Sequence, residues 1–237
     1  MQQTPKELWS HGNMLSEYQV WVAYRLATCQ LSLYFDGRQQ NNSCRKLDRC
    51  QGQKETLEHI FWQCPCAQAC WQEVAQRWTG QVQSPERVRM FESYCASRSA
   101  PPISQRIRTR LATVFEGESE AYEGEWKRLW RILCTICVTS LWIQRNRVVH
   151  QGGRVSQESS VSEFRQAAGR HLRALAKRER RKPHTMVQGT WLLLCLDMYD
   201  CPLHETPQQV VSHVRPPGSL KTPALISWLR AYQTSCT

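Results

Sequence analysis

Aspartate is scarce in this chain: there are four in 237 residues, at Asp36, Asp48, Asp197 and Asp200. Two-metal phosphoryl transfer needs several converging carboxylates, so this scatter supplies no polymerase or nuclease centre. Asp36 beside Gly37, in the run Tyr34-Phe35-Asp36-Gly37, reads as turn chemistry. A glycine-rich phosphate loop, a Gly-x-Ser-x-Gly elbow and an internal repeat of fixed period are also missing. The opening residues MQQTPKELWSHGN lack the basic start and apolar run of a signal peptide. The longest apolar stretch, Ile132 to Ile143, is shorter than the ~20 residues a membrane helix requires. These absences argue against the enzyme classes those motifs define and against a membrane span. They set the expectation of a non-catalytic intracellular protein, nuclear or cytoplasmic and not secreted, whose thiols stay reduced.

Cysteine and tryptophan, by contrast, are plentiful, at twelve and ten residues, and 41% of the chain is hydrophobic. Such a composition folds. The expected fold class is mainly α, with a small zinc-knuckle segment packed on an irregular helical bundle. The chain divides into an N-terminal packing helix and loop (1–43), a metal-binding segment (44–80), a helical domain ending in a basic helix (81–183) and a proline-interrupted tail (184–237).

Five cysteines and a histidine fall within Cys44 to Trp71. Zn²⁺ takes thiolate and imidazole ligands, usually four, from short spacings on adjoining elements. Cys50, His59 and Cys64 fit, with Cys44 as the most natural fourth ligand. On a regular helix, residues five apart lie roughly 140° apart around the axis, so His59 and Cys64 require a break between them. Pro65 supplies one, because it drives Cys64 out of the α region; a short helix over about Glu55 to Trp62 is expected to end there. Pro65 then opens the next helix, on which Cys66 and Cys70 sit at i, i+4 as a reserve ligand pair. The alternatives are that these cysteines are buried thiols packing as small apolar side chains, or a disulfide framework.

These residues carry a resemblance. ETLEHIFWQCPCAQACW is similar to the zinc-binding segment downstream of the reverse transcriptase domain in LINE-type (non-LTR) retrotransposons. That family shows a Cys pair, Glu-Thr-x-x-His, four residues, Cys-Pro, and a Trp leading into a helix. Glu55, Thr56, His59, Cys64, Pro65 and Trp71 match in order, and Cys50 falls on the second cysteine of the pair. The first would stand at Leu47, so Cys44 must substitute. The stretch LWIQRNRVVH resembles the family again, where a Trp followed by an Arg-Asn pair closes the helical region. The resemblance implies bound Zn²⁺, contact with template RNA or target DNA, and a reverse transcriptase acting in trans. The alternatives are a module for an acidic protein partner, or a decayed element without activity.

Along the rest of the chain, apolar spacing predicts a helix from Glu17 to about Phe35. Ser84-Pro85-Glu86 predicts another to about Tyr94, and Ser104 caps a third to Phe115. Glu116, Glu118, Glu120, Glu123 and Glu125 lie where the next helix should begin and complement its dipole. Trp126, Trp130, Leu133, Cys134, Cys137, Leu141 and Trp142 form the apolar stripe of what should be the longest helix. Cys134-x2-Cys137 within it reads as core rather than metal site. Cys195, Cys201, His204 and His213 could form a second metal site only through irregular spacing, and Asp197 and Asp200 share a helix face. A last helix is expected around Leu225 to Tyr232.

Charge is uneven. The net charge is +11, and Arg145 to Lys182 alone holds eleven Lys or Arg against three Glu, a net of +8. Neutralising phosphates releases condensed counterions, so such a run favours a polyanion; the plain alternative is a solvated helix face. Candidate phosphate contacts are Arg145, Arg147, Arg165, Arg170, Arg173, Lys177, Arg178, Arg180, Arg181 and Lys182.

Overall fold

The computed structural model describes residues 14–33, 43–50, 52–115 and 119–214. The Tyr34 to Gly37 turn, the loop after it to residue 42, Glu116, Glu118 and the helix expected around 225–232 lie outside the described residues. Within them the chain is helical, and its one β interaction is an isolated antiparallel bridge between Ser43 and Lys54. The mainly α expectation holds. No described helix is long and apolar enough to cross a membrane.

Local chemistry explains most element ends. Helix α1, Glu17–Ala27, begins at a reciprocal capping box: Ser16 Oγ accepts from the Gln19 N–H at 3.3 Å, and Gln19 Oε1 accepts from the Ser16 N–H at 2.9 Å. It stops well short of Phe35. The Thr28 hydroxyl donates to the Tyr24 carbonyl, and Cys29 enters the left-handed region at φ 54°, which ends the helix although apolar residues continue in sequence. Helix α2, Pro65–Thr79, opens on proline as expected. Gly80 follows it at φ +69°.

The Ser84-Pro85 start yields two short helices rather than one, α3 (Pro85–Arg89) and α4 (Glu92–Ser97). Ser104 caps α5, Gln105–Val114, through the Ile107 N–H at 3.2 Å. Helix α6, Ser119–Gln151, is the longest at 33 residues. Helix α7, Gln157–Arg180, starts at Ser156, whose hydroxyl accepts from the Ser159 N–H at 3.0 Å. Helices α8 (Met186–Asp200) and α9 (Pro207–Val214) complete the described chain.

These elements form two compact units that interleave segments of the chain. The first comprises residues up to Val74, Ser84–Ser99 and Ile132–Ala168; the second comprises Ala75–Gln83, Ala100–Arg131 and residues from Gly169 onward. In the first unit Val22, Phe61, Trp71, Val74, Leu133, Cys137, Leu141 and Phe164 are buried. Burial of each large side chain contributes about 1.5–3 kcal/mol. In the second, Trp78 stacks on Trp126 at 5.6 Å and meets Trp130 edge-on at 4.9 Å, and Ile107, Leu111, Leu172 and Leu192 are buried. Cys134 and Cys137 are fully buried in the first unit, as core packing requires.

Candidate metal centre

The centre is built by two short pieces of backbone in the first unit. In the first, the Ser43–Lys54 bridge closes a loop, with the Cys44 N–H donating to the Gln53 carbonyl at 2.9 Å. A 3-10 turn, Asp48–Cys50, lies inside the loop, and the Cys50 N–H donates to the Leu47 carbonyl at 2.9 Å. Gly52 adopts φ +82°, a conformation costly for a residue with Cβ. The loop thereby brings Cys44 and Cys50 to one side while Leu47 serves the turn through its backbone.

The second piece carries His59 and Cys64. Thr56 Oγ1 accepts from the His59 N–H at 3.0 Å, so helical structure begins at Leu57 rather than Glu55. His59–Gln63 is a π-helical turn, closed by the Cys64 N–H donating to the His59 carbonyl at 2.7 Å. In such a turn the hydrogen bond spans five residues instead of four. Residues 59 and 64 therefore stand one wide turn apart, and the 140° offset of a regular helix does not arise. Cys64 itself has ψ 134°, out of the α region as expected before proline. Both devices act together, the wide turn adding to the break that Pro65 imposes.

The outcome is a tetrad. One donor atom from each of Cys44, Cys50, His59 and Cys64 lies within 4.8 Å of all the others, and all four residues are buried. It is the only group of its kind among the described residues. This cluster can hold a metal ion. The residues fit one on an independent observation: His59 Nε2 is buried without a hydrogen-bond partner. Leaving such an atom unsatisfied costs about 1–3 kcal/mol, a cost that coordination would remove. Four protein donors complete a tetrahedral shell, which is the arrangement of structural rather than catalytic sites.

The surroundings favour thiolate at Cys64. Hydrogen bonds from the Cys44 and Cys66 side chains hold the Cys64 thiol well below its usual range, helped by the charge of Lys46 and by the Cys66 N–H. The same bonds, with burial, push the thiols of Cys44 and Cys66 up. The Lys46 N–H bonds to Cys44, so backbone donors face two of the sulfurs, as outer-shell groups around metal ligands do.

The tetrad is seated on one turn of α6 in the same unit. Lys46 Nζ donates to the Leu141 carbonyl at 3.3 Å, Phe61 stacks on Trp142 at 6.3 Å, and Arg145 binds Glu55 through Nη2 at 2.8 Å. Trp71 Nε1 donates to the Phe61 carbonyl at 2.7 Å, and Gln157 Nε2 to the Pro65 carbonyl at 3.0 Å.

The structure also sorts the other candidates. Cys66 lies against Cys64 and Ser160, and Cys70 against Cys137; neither belongs to the tetrad. Arg145 is a correction: it is 1% exposed, bound to Glu55 and placed over the Trp142 ring at 5.5 Å, so it cannot reach a phosphate. Arg147 pairs with Glu163 at 2.7 Å, Arg165 with Glu73 at 3.5 Å, and Arg173 with Asp200 at 3.4 Å, and all three are at least partly exposed. Arg170, Lys177, Arg178, Arg180, Arg181 and Lys182 are exposed. Cys195 Sγ faces the Tyr122 carbonyl and Cys201 Sγ the Asp197 carbonyl, and the His213 side chain lies outside the described residues. Lys46 has no motif of its own in the sequence; its burial and its bond to the Leu141 carbonyl are what mark it.

Compared with protein-family models, curated proteins and solved structures, the chain matches none of them.

Proposed function

We propose that the chain is a zinc-stabilised, non-catalytic nucleic-acid-binding module, comparable to the segment downstream of the reverse transcriptase domain in LINE-type retrotransposons. The tetrad of three thiols and one imidazole supports the metal part. Such a donor set suits Zn²⁺, which prefers tetrahedral sulfur and nitrogen ligands. When bound, the ion cross-links the Cys44–Cys50 loop to the π turn, so ion binding and folding of this segment are coupled.

The observation that carries the nucleic-acid part is the cationic end of α7. Between Arg170 and Lys182 seven Lys or Arg are exposed, and Glu179, the one acid there, is bound to Arg128. Three of these cations also lie in the last turn of the helix, where they complement its dipole. That accounts for some of them, but not for Arg181 and Lys182 beyond it. Contacts of this kind bind backbone phosphate without reading sequence. A reverse transcriptase acting in trans would then receive the RNA or DNA that this module holds.

The test is filter binding of the zinc-loaded chain to single-stranded RNA, duplex RNA and duplex DNA across about 50 to 200 mM salt. A variant with Arg170, Lys177, Arg178, Arg180, Arg181 and Lys182 changed to Gln is run beside it. Affinity for at least one nucleic acid should fall steeply with salt, and the variant should bind more weakly with a shallower slope. Binding that ignores salt, or a variant that binds like the native chain, would reject the reading. An acidic protein partner becomes the better explanation if no nucleic acid binds.

A further inference from the structure

Arg45 and Lys46 are adjacent cations in the Cys44–Cys50 loop, and they part ways. Arg45 is exposed, whereas Lys46 is 5% exposed and donates from Nζ to the Leu141 carbonyl. Among the described residues Lys46 makes no ion pair with a carboxylate. Taking an ammonium out of water costs several kcal/mol unless a negative partner compensates. Lys46 stands two residues after Cys44 in the loop that carries two of the tetrad's buried sulfurs, so the thiol cluster is where a compensating negative charge can lie.

Charge counting then gives Lys46 a role. Three thiolates and a neutral imidazole around a dication leave one net negative charge, and a single ammonium cancels it. We infer that Lys46 is a positioning residue of the metal centre: its buried ammonium neutralises the tetrad with its dication, and its bond to Leu141 anchors the ligand loop to α6. The inference rests on the tetrad being a dication site, and it goes beyond that reading by assigning the site an outer-shell cation. Outer-shell partners of this kind typically tune metal affinity by about 10- to 100-fold.

The experiment measures affinity of the full chain for Co²⁺ and Zn²⁺ by competition with a chromophoric chelator, in the native chain, Lys46→Gln and Lys46→Arg. Gln keeps an N–H donor for Leu141 without the charge, and Arg keeps the charge. Lys46→Gln should bind either metal about 10- to 100-fold more weakly, with the Co²⁺ absorption bands unmoved because the four ligands remain. Lys46→Arg should stay close to the native value. Equal affinity in native and Gln chains, or equal losses in Gln and Arg, overturns the proposal.

A second measurement needs no variant. Amine-reactive labelling of the native chain, read by peptide mass spectrometry, should find Lys46 protected when metal is bound and labelled several-fold faster after chelation, while exposed Lys54 changes little. Unchanged labelling of Lys46 also overturns the proposal. A native chain that binds neither metal fails at the earlier step, which separates loss of the dication site from loss of the Lys46 role.

Discussion

Arg145 donates through Nε and Nη2 to a single oxygen of Glu55, at 3.1 and 2.8 Å, and both side chains are 1% exposed. The two sequence patches that resemble the retroelement family, Glu-Thr-x-x-His and Arg-Asn, are thus two halves of one buried contact in the first unit. Its effect is structural: it locks the residues just before the His59–Gln63 turn to α6, four residues beyond Leu141.

Breaking that pair should be costly. Arg145→Ala leaves an uncompensated carboxylate in the core, and removing one partner of a buried pair typically costs about 3–5 kcal/mol. Arg145→Lys should recover little, since an ammonium cannot reproduce the planar fork or its stacking on Trp142. The double change Arg145→Met with Glu55→Gln should be milder than Arg145→Ala. Urea unfolding of the metal-loaded chain checks all three.

A close approach in the second unit gives an independent prediction. A Cβ at Gly189 in α8 would lie 2.7 Å from the Ala176 carbonyl oxygen and 2.9 Å from the Arg180 nitrogen, both backbone atoms of α7. Backbone cannot move aside as a flexible side chain can. Gly189→Ala should therefore destabilise by about 1–3 kcal/mol despite its better helix propensity, measured as a lower midpoint in chemical denaturation. Gly124→Ala in α6, with nothing within 4 Å, serves as the control and should be neutral or stabilising.

Glu125 makes stability depend on pH. It is 6% exposed, and burial pushes its carboxyl up to about 7 although the Arg128 guanidinium beside it pulls the other way. Since the folded value lies above the unfolded one, the favourable contribution is complete below about pH 4.3, the ordinary glutamate value. It is lost as pH rises through about 7. Across that window the native chain should lose stability relative to Glu125→Gln by about 1.4 kcal/mol per pH unit. Denaturation of both chains at a series of pH values tests it, the difference between them removing the pH dependence of the metal site.

Several of these features can be read from the residues, and others arise only from folding. The tetrad residues Cys44, Cys50, His59 and Cys64 stand out in the sequence because thiol and imidazole chemistry limits what such spacing is for. Ser84, Ser104 and Pro65 marked helix starts because capping is local. The π turn at His59–Gln63 has no local signature; it fits the need to close His59 and Cys64 onto one site. Counting charge along the run places Arg145 among surface cations, whereas the structure buries it against Glu55. Its position four residues after Leu141 and three after Trp142 put it on the apolar face of α6, and that spacing held the clue. The end of α1 at Ala27 was hidden because Leu31 continues the apolar pattern beyond the Thr28–Cys29 stop.

The account turns on Cys44, Cys50, His59 and Cys64 sharing one ion, and metal content per chain tests that most directly. Elemental analysis of the purified native chain, His59→Ala and Cys44→Ala should give about one zinc, close to none, and a reduced content whose size measures how far neighbouring Cys66 can substitute. A native chain without zinc, or a His59→Ala chain that keeps its full complement, would contradict it.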